Sequence, residues 1–437
     1  MREPVFKTAA GTFRGRICDA CIQITGIRYA SSERFGPPEA YRYPEGVHDC
    51  LAPSPACVQR ASWFETFLMK GSNAAYEQAE SCQYLSITMP REKTDQQMPV
   101  MVYFHGGSYR NGGCDSANYD RRYLAGEQKV IVVGVNYRLN ILGFVRDQKG
   151  NAGHPGLLDA IEALRWIRRN IASFGGDSEC VTIFGQSSGA DLVRCIMLSE
   201  GTDHLYRRAV IQSDPFGAMQ ERREMERQIL AKASTLPEDA DYDAVRAMIA
   251  DIETNIKVKG NAKYLMFAPH YGVSPLPEEA DFEKRLAGIA KDHELLIGTA
   301  SREVSVYGGG MKFLHVLDRF ILTRFIIEAM IRRLSEGIFV NGAKDFARMY
   351  HRCGGTAYFY TFFWKDREYY LAGGHAMDLP LLFGGDAIEG SPSALGMSAG
   401  EIGEAGRPMR AIWAEFARTG VIEENGIPGM LEIGKTE

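Results

Sequence analysis

The chain has 437 residues, of which 45% are hydrophobic and 24% are charged, and its formal net charge is −5. This composition excludes collagen, a continuous coiled coil and wholesale disorder, and a chain of this length buries a large core without disulfides or metals. The mildly acidic balance argues against a nucleic-acid partner, which would require a basic face.

We find neither a secretory signal nor a membrane segment in the sequence. The chain starts Met1-Arg2-Glu3-Pro4 with no apolar run behind it, and no window approaches the ~18 consecutive apolar residues that span a bilayer. The nine cysteines are scattered, unlike a disulfide framework. The sequence therefore predicts a cytoplasmic protein with no membrane partner.

Predicted strands and helices alternate along the chain. Strands are expected at 84–88, 100–104, 130–135, 181–184, 295–299 and 357–362, and helices at 157–174, 188–198 and 409–418. The 130–135 run is apolar and β-branched, which is typical of a strand buried on both faces of a parallel sheet. The alternation predicts an α/β fold with a mostly parallel central sheet and helices on both faces.

The domain organisation is predicted to be simple. Past residue 216 the pattern is mainly helical, and 313–334 is typical of one or two amphipathic helices packed beside a pocket. No internal repeat or low-complexity linker divides the chain. We therefore predict one domain over 1–437, with a helical insert at roughly 216–350.

A nucleophile is predicted at Ser187. Residues 185–189 read Gly-Gln-Ser-Ser-Gly, a G-x-S-x-G motif between a predicted strand and a predicted helix, where the serine occupies a tight, strained turn. The same pattern recurs around Ser398, but no strand precedes that serine and no histidine follows it. An ordinary loop serine near a helix start is the better interpretation of Ser398.

An oxyanion hole is predicted just after the strand at 100–104. Gly106, Gly107 and Ser108 are consecutive small residues, so their backbone amides can converge on one point. The amide of Ser188 opens the next helix and is expected to point toward the same place.

The general base is predicted to be His375, which lies in a loop after the strand at 357–362. In that position the imidazole would lie at the edge of the sheet where the parallel strands end. His293 and His351 lie in polar helical contexts, and His315 on an apolar helix is interpreted as a core residue.

The acid must lie between nucleophile and base, since the predicted fold uses that chain order. Glu303 follows the strand at 295–299 and lies 116 residues after Ser187 and 72 before His375. We predict that Glu303 is the acid.

These residues make the chain resemble the type-B carboxylesterases of the carboxylesterase–cholinesterase family, in the style of bacterial para-nitrobenzyl esterases. Further segments are similar to those of the family: 26–30 (GIRYA), 34–35 (RF), 136–139 (NYRL), 143–144 (GF), 174–177 (FGGD) and 413–417 (WAEFA). The resemblance implies an α/β-hydrolase fold and serine esterase activity, with Ser187 as nucleophile, Glu303 as acid and His375 as base.

The chain departs from the family pattern at several positions. Ser108 replaces the last of three glycines, Gln186 replaces the usual glutamate before the nucleophile, and Ser188 replaces the usual alanine after it. Cys57 and Cys82 fall where the family has its N-terminal disulfide, and we expect free thiols there.

The expected substrates are uncharged short- to medium-chain carboxylic esters, including aryl esters. Tyr109, Phe216 and Phe313 are candidates to line an apolar pocket, although a place in the core is the better interpretation of each. We expect no cofactor and no metal ion, and a monomer or homodimer. Two alternatives stay open: a related hydrolase of amides, carbamates or lactones, and a catalytically silent binding protein.

Overall fold

The computed structural model describes residues 3–437 apart from 70, 72–74, 93, 95, 259, 309–320, 366–368 and 424. Its strands are β1 Val5–Lys7, β2 Thr12–Arg14, β3 Arg16–Cys18, β4 Cys21–Arg28, β5 Ala30–Ser31, β6 Glu39–Ala40, β7 Val47–Asp49, β8 Ala56–Cys57, β9 Gln78–Ala79, β10 Tyr84–Pro90, β11 Met98–Phe104, β12 Ile131–Val135, β13 Gly176–Gln186, β14 Arg208–Gln212, β15 Glu294–Ala300, β16 Thr356–Phe362, β17 Gly426–Ile427 and β18 Leu431–Lys435. Its α-helices are α1 Trp63–Met69, α2 Arg122–Gln128, α3 Asn140–Gly143, α4 Pro155–Asn170, α5 Ser188–Leu198, α6 Arg223–Ala233, α7 Tyr242–Asn255, α8 Phe282–Ile289, α9 Ser305–Gly308, α10 Ile321–Ser335, α11 Asn341–Arg352, α12 Leu379–Phe383 and α13 Ala399–Thr419.

A central sheet of eleven described strands organises the molecule. Its order is β17-β18-β16-β15-β14-β13-β11-β12-β10-β4-β3. The strands from β12 through β16 pair in parallel, whereas β10, β4 and β3 at one edge and β18 and β17 at the other pair antiparallel. The expectation of a mostly parallel central sheet is confirmed.

Helices cover both faces of this sheet, because successive side chains of each buried strand point to opposite sides. In β11, Val100 and Val102 pack in the core formed with α4 and α5, whereas Met101 and Tyr103 pack in the core formed with α2 and α13. The continuous apolar run of β12 is explained in the same way, since all five of its residues are buried.

Four of the parallel strands end at the same edge of the sheet, and each is followed by a segment with predicted site residues. The carboxyl ends of β11, β13, β15 and β16 lead into the segments that carry residues 106–108, Ser187, Glu303 and His375. Phe104 is paired with Gly185, and through β14 the register continues to Ile297 and Phe359, so β15 and β16 extend three residues beyond the end of β11 at this edge. The topology therefore gathers the residues predicted to act together.

The region predicted to be a helical insert, 216–350, is helical on both sides of β15. Helices α6, α7 and α8 precede this strand and α9, α10 and α11 follow it. The amphipathic stretch expected over 313–334 lies partly outside the described residues, and its described part forms α10. None of the helices in the described ranges is long and apolar enough to cross a membrane.

Cys57 and Cys82 are both buried free thiols in the structure. Cys57 Sγ accepts a hydrogen bond from the amide of Leu139 at 3.2 Å. The two residues therefore serve as core side chains here.

A buried ion pair ties the segment after β12 to α4. Arg138 donates from Nε and from a terminal nitrogen to the two carboxylate oxygens of Asp159, at 2.8 and 2.7 Å. The backbone amide of Arg138 donates to the same carboxylate at 3.0 Å. Both side chains are almost fully buried, so each charge depends on the other for its stabilisation.

We predict that Asp159→Asn lowers the free energy of unfolding by about 3 kcal/mol, because it leaves the Arg138 charge buried without a counterion. Asp345→Asn removes the acid of an exposed pair with Arg348 and should have little effect. Urea unfolding followed by circular dichroism measures both values. Equal effects of the two substitutions would contradict the importance given to the buried pair.

Candidate active site

Ser187 occupies a sharp turn between β13 and α5. Its backbone has φ 60° and ψ −126°, in the left-handed half of conformational space where residues other than glycine are strained. A Cβ added to Gly185 would collide with the carbonyl of Gly189, and one added to Gly189 would collide with the carbonyl of Phe104. The two glycines of the motif thus allow the turn to pack directly against the end of β11.

The segment after β11 lies beside this turn. Gly107 has φ 116° and Ser108 has φ 55°. The amide of Tyr109 donates a hydrogen bond to Ser188 Oγ at 3.2 Å, and the hydroxyl of Tyr109 donates to Asp191 Oδ2 at 2.7 Å. Both acceptors belong to α5, so the segment is anchored to the helix that Ser187 precedes.

The amides of Gly107, Ser108 and Ser188 are free to receive a ligand. Within the described part of the chain, none of them donates a hydrogen bond to another protein group. Ser188 is the first residue of α5, where backbone amides have no partner inside the helix and favour negative charge. These groups are suited to stabilising an oxyanion.

Glu303 and His375 are in direct contact. Glu303 Oε2 lies 2.6 Å from His375 Nδ1, while Glu303 Oε1 accepts the amide of Ala300 at 2.7 Å. The amide of His375 also donates to the carbonyl of Glu303 at 3.0 Å. Both side chains are nearly fully buried, so the carboxylate fixes the orientation of the ring.

The other nitrogen of His375 faces Gln186. The distance from His375 Nε2 to Gln186 Nε2 is 3.2 Å. Ser187 and His375 line one cavity, but no hydrogen bond joins Ser187 Oγ to the ring in the described structure. The structure therefore brings the two residues together without closing the contact between them.

The rejected candidates have other roles. Ser398 is the N-cap of α13: its Oγ accepts the amide of Glu401, whose carboxylate in turn binds the amide of Ser398, a capping box. His293 is buried against the carbonyl of Arg207, and His351 lies in α11. His315 is outside the described residues.

Two cavities meet at Ser187, each of about 220 Å³. The first, which we call the apolar cavity, has no charged residue among those lining it; its apolar walls include Pro215, Leu265, Ile331, Leu334, Ile338 and Phe339. The second, the polar cavity, is lined by Gly106, Gly107, Gln186 and His375 and by the charged residues Glu65, Arg110 and Lys263. Ser108, Tyr264 and Tyr307 border both.

The described aromatic candidates for a pocket belong to the core, which is the interpretation that the sequence favoured. Tyr109 is fully buried and its hydroxyl donates to Asp191, and Phe216 packs against the core and the guanidinium of Arg194. Phe313 lies outside the described residues. The apolar walls include residues of α10, which agrees with the prediction that the amphipathic stretch packs beside a pocket, and residues of 336–340, which no local sequence motif connects to Ser187.

A buried carboxylate that the sequence motifs did not indicate lies behind the site. Asp378 accepts a hydrogen bond from Gln212 Nε2 at 2.7 Å, and the carbonyl of Gln212 accepts the amide of Ser187 at 2.9 Å. Burial raises the pKa of Asp378 to about 6, and the neighbouring charge of Glu303 acts in the same direction. Asp378 thus supports the turn of Ser187 through one intermediate residue, Gln212, whose side chain binds Asp378 and whose backbone binds Ser187.

Comparison with known proteins identifies the family. The family model described as the carboxylesterase family matches residues 2–311. The chain belongs to the carboxylesterase family. It is accordingly a carboxylic ester hydrolase with the α/β-hydrolase fold.

Individual relatives cover almost the whole chain. A probable N-octanoylanthranilate hydrolase from Rhodococcus erythropolis is 31% identical over 96% of this chain and 93% of its own length. The para-nitrobenzyl esterase of Bacillus subtilis (strain 168) is 27% identical, over 96% and 91%. The solved structure of a thermophilic para-nitrobenzyl esterase superposes with a TM-score of 0.82 at 25% identity, covering 99% of this chain and 98% of that one.

We predict that Gly189→Ala destabilises the protein by at least about 2 kcal/mol and abolishes ester hydrolysis, because the added methyl group forces α5 away from β11. Gly288→Ala is the matched control: it lies in α8 with nothing within 4 Å of the added group. That control should stabilise the protein by about 0.5–1 kcal/mol. Thermal unfolding and p-nitrophenyl butyrate turnover measure both variants, and an active, stable Gly189→Ala enzyme would refute the packing argument.

We predict a pH-dependent contribution of His105 to stability. Burial lowers the pKa of His105 from 6.5 to about 4, so the unfolded chain binds a proton on this ring before the folded chain does. The contribution of neutral His105 to the free energy of unfolding is therefore fully present above pH 6.5 and is lost as the pH falls toward 4. Between pH 7.5 and pH 5 this loss amounts to about 2 kcal/mol. His105→Gln should show a flatter dependence in urea unfolding at these two pH values, and exposed His204→Gln should match the wild type.

Proposed function

We propose that the protein hydrolyses uncharged short- to medium-chain carboxylic esters through a Ser187–His375–Glu303 triad and an acyl-enzyme intermediate. His375 takes the proton of Ser187 as Oγ attacks the ester carbonyl, and Glu303 stabilises the resulting imidazolium. The amides of Gly107, Ser108 and Ser188 hold the oxyanion. Gly106 has no side chain and so allows this segment to lie close to the turn of Ser187. His375 then protonates the leaving alcohol, and water repeats the sequence on the acyl-enzyme.

One observation carries this proposal. The 2.6 Å contact between Glu303 and His375 orients the ring toward the cavity that also contains Ser187 on its strained turn. A nucleophile, a base and a residue that orients the base, beside three unpaired amides, are the parts that acyl transfer needs.

The two cavities suggest how an ester binds. The leaving alcohol must lie near His375 to receive its proton, and His375 lines the polar cavity but not the apolar one. The acyl chain then extends from Ser187 into the apolar cavity. This orientation agrees with uncharged acyl groups as substrates.

The primary test is turnover of p-nitrophenyl butyrate by Ser187→Ala and Ser398→Ala. We expect Ser187→Ala to lose at least about 10³-fold in kcat, since removal of the nucleophile leaves only residual catalysis. Ser398→Ala should keep wild-type kcat with only a modest loss of stability from the lost helix cap. Unaltered turnover by a folded Ser187→Ala protein would refute the triad.

The acyl-chain preference tests the apolar cavity. From acetate upward, kcat/KM for p-nitrophenyl esters should rise by up to about fourfold for each CH₂ that is buried, and then level off when the cavity is full. Leu334→Trp narrows the cavity and should move this limit to shorter chains. Phe325→Trp, an exposed change on the same helix α10 but outside the cavity wall, should leave the limit unchanged. The same chain-length profile for all three proteins would place the acyl group elsewhere.

Amide hydrolysis is a second candidate, because the name of one full-length relative specifies an N-acyl substrate, N-octanoylanthranilate. The same triad can cleave an amide if His375 protonates the leaving nitrogen. Parallel kcat/KM values for p-nitrophenyl octanoate, octanoyl p-nitroanilide and N-octanoylanthranilate separate the two candidates. A larger value for either amide than for the ester would favour amide hydrolysis.

A further inference from the structure

The residue before the nucleophile has a side chain in contact with the general base. Gln186 is the last residue of β13, and only 3% of it is exposed. Its Nε2 lies 3.2 Å from His375 Nε2, the nitrogen that must accept the proton of Ser187 in the proposed function. Gln186 and His375 both line the polar cavity.

The direction of this hydrogen bond follows from the opposite side of the ring. His375 Nδ1 faces the carboxylate of Glu303 at 2.6 Å, and a carboxylate only accepts, so Nδ1 carries the proton. In the neutral ring Nε2 then has a free lone pair. The amide nitrogen of Gln186 is a donor, so it satisfies this lone pair in the resting protein.

We propose that Gln186 is a positioning residue that holds the neutral imidazole before reaction and reverses its amide when the imidazole becomes charged. The inference rests on the proposed function. As the Ser187 Oγ–carbonyl bond forms, the Oγ proton moves to Nε2, which changes from acceptor to donor. For this transfer the Ser187 hydroxyl must first displace the Gln186 N–H from the single lone pair of Nε2. The released carboxamide can then turn about its last bond and present Oε1 to the new N–H, and no net charge is added.

The side chain is free to make this change. Among the described residues, His375 is the one hydrogen-bond partner of the Gln186 side chain. No second hydrogen bond there holds the amide in one orientation. Gln186 Oε1 lies against Gly106, 3.3 Å from the position that a Cβ would occupy there. Nε2 of the amide is therefore beside the base, and Oε1 is beside the start of the segment that carries Gly107 and Ser108.

A glutamate at this position would act differently, since a carboxylate can accept but cannot donate. It would leave the neutral ring unsatisfied, favour the imidazolium and keep the base protonated to higher pH. Methionine, similar in length, would neither donate nor accept. The two substitutions thus separate charge and hydrogen bonding from the filling of space.

Other ionisable groups also act on His375, and they come from several elements. Those in contact with the ring, close to it, or lining the same cavity are Glu303, Tyr307, Asp378, Glu65, Arg110, Tyr119, Lys263 and Tyr264. Each is present in the wild type and in both variants, so a difference between profiles reports the exchange at position 186.

The experiment measures kcat/KM for p-nitrophenyl butyrate from pH 5 to 9 in the wild type, Gln186→Glu and Gln186→Met. Gln97→Glu is the matched control, the same chemical change at an exposed loop position. We expect the midpoint of the acid limb to move up by about one pH unit in Gln186→Glu. Gln186→Met should move this midpoint by less than half as much. It should also lower kcat about tenfold and leave KM little changed. Gln97→Glu should match the wild type.

Two results would overturn the inference. The first is an acid-limb midpoint for Gln186→Glu within 0.2 pH unit of the wild type. The second is an equal midpoint shift in Gln186→Met, because only packing at position 186 would then matter. If a variant hydrolyses too slowly, the pH dependence of Ser187 phosphonylation by a p-nitrophenyl phosphonate reports the same base without the leaving-alcohol step. Failure of the proposed function is distinguishable, because Ser187→Ala would then keep the wild-type turnover.

Discussion

The site depends on a close backbone contact between α5 and the end of β11. The carbonyl of Phe104 occupies the space where Gly189 would carry a Cβ, and the carbonyl of Gly189 does the same at Gly185. Because no side chain separates the two elements, the turn between β13 and α5 must be tight, and Ser187 is held at φ 60°. The same contact brings the segment of Gly107 and Ser108 beside Ser187, so the proposed nucleophile and the proposed oxyanion donors are fixed by one constraint.

The parallel sheet extends this constraint to the remaining groups. Since β11, β13, β15 and β16 all end at one edge, Glu303, three residues past the end of β15, meets His375, which lies in the longer segment after β16 and lines the polar cavity. Hydrogen bonds then fix the details: Ala300 holds one oxygen of Glu303, and the other oxygen holds His375. Ser188 ties the oxyanion segment to α5 through Tyr109. Strain at Ser187 is maintained by this surrounding packing.

Much of this arrangement could be predicted from the sequence, because its signals are local. The G-x-S-x-G motif between a strand and a helix, the small residues after β11, and a histidine and a glutamate just after strands all depend on neighbours in the chain. The amphipathic pattern over 313–334 likewise predicts helix beside a pocket, and α10 lines the apolar cavity. The contact of Gln186 with His375, and the meeting of Leu334 and Ile338 with Ser187 in one cavity, could not be predicted in this way. They depend on packing between segments more than a hundred residues apart, for which one sequence has no periodic or motif signal. The capping role of Ser398 shows the converse, since its motif is the same and only its setting differs.

The central claim is that Ser187 forms the acyl-enzyme. The most direct measurement is covalent labelling with a p-nitrophenyl phosphonate, followed by peptide mass spectrometry of the full chain. The account predicts one phosphonyl group per chain, on the peptide that contains Ser187, with loss of esterase activity in proportion to labelling. A label on another residue such as Ser398, or full inactivation with Ser187 unmodified, would contradict it.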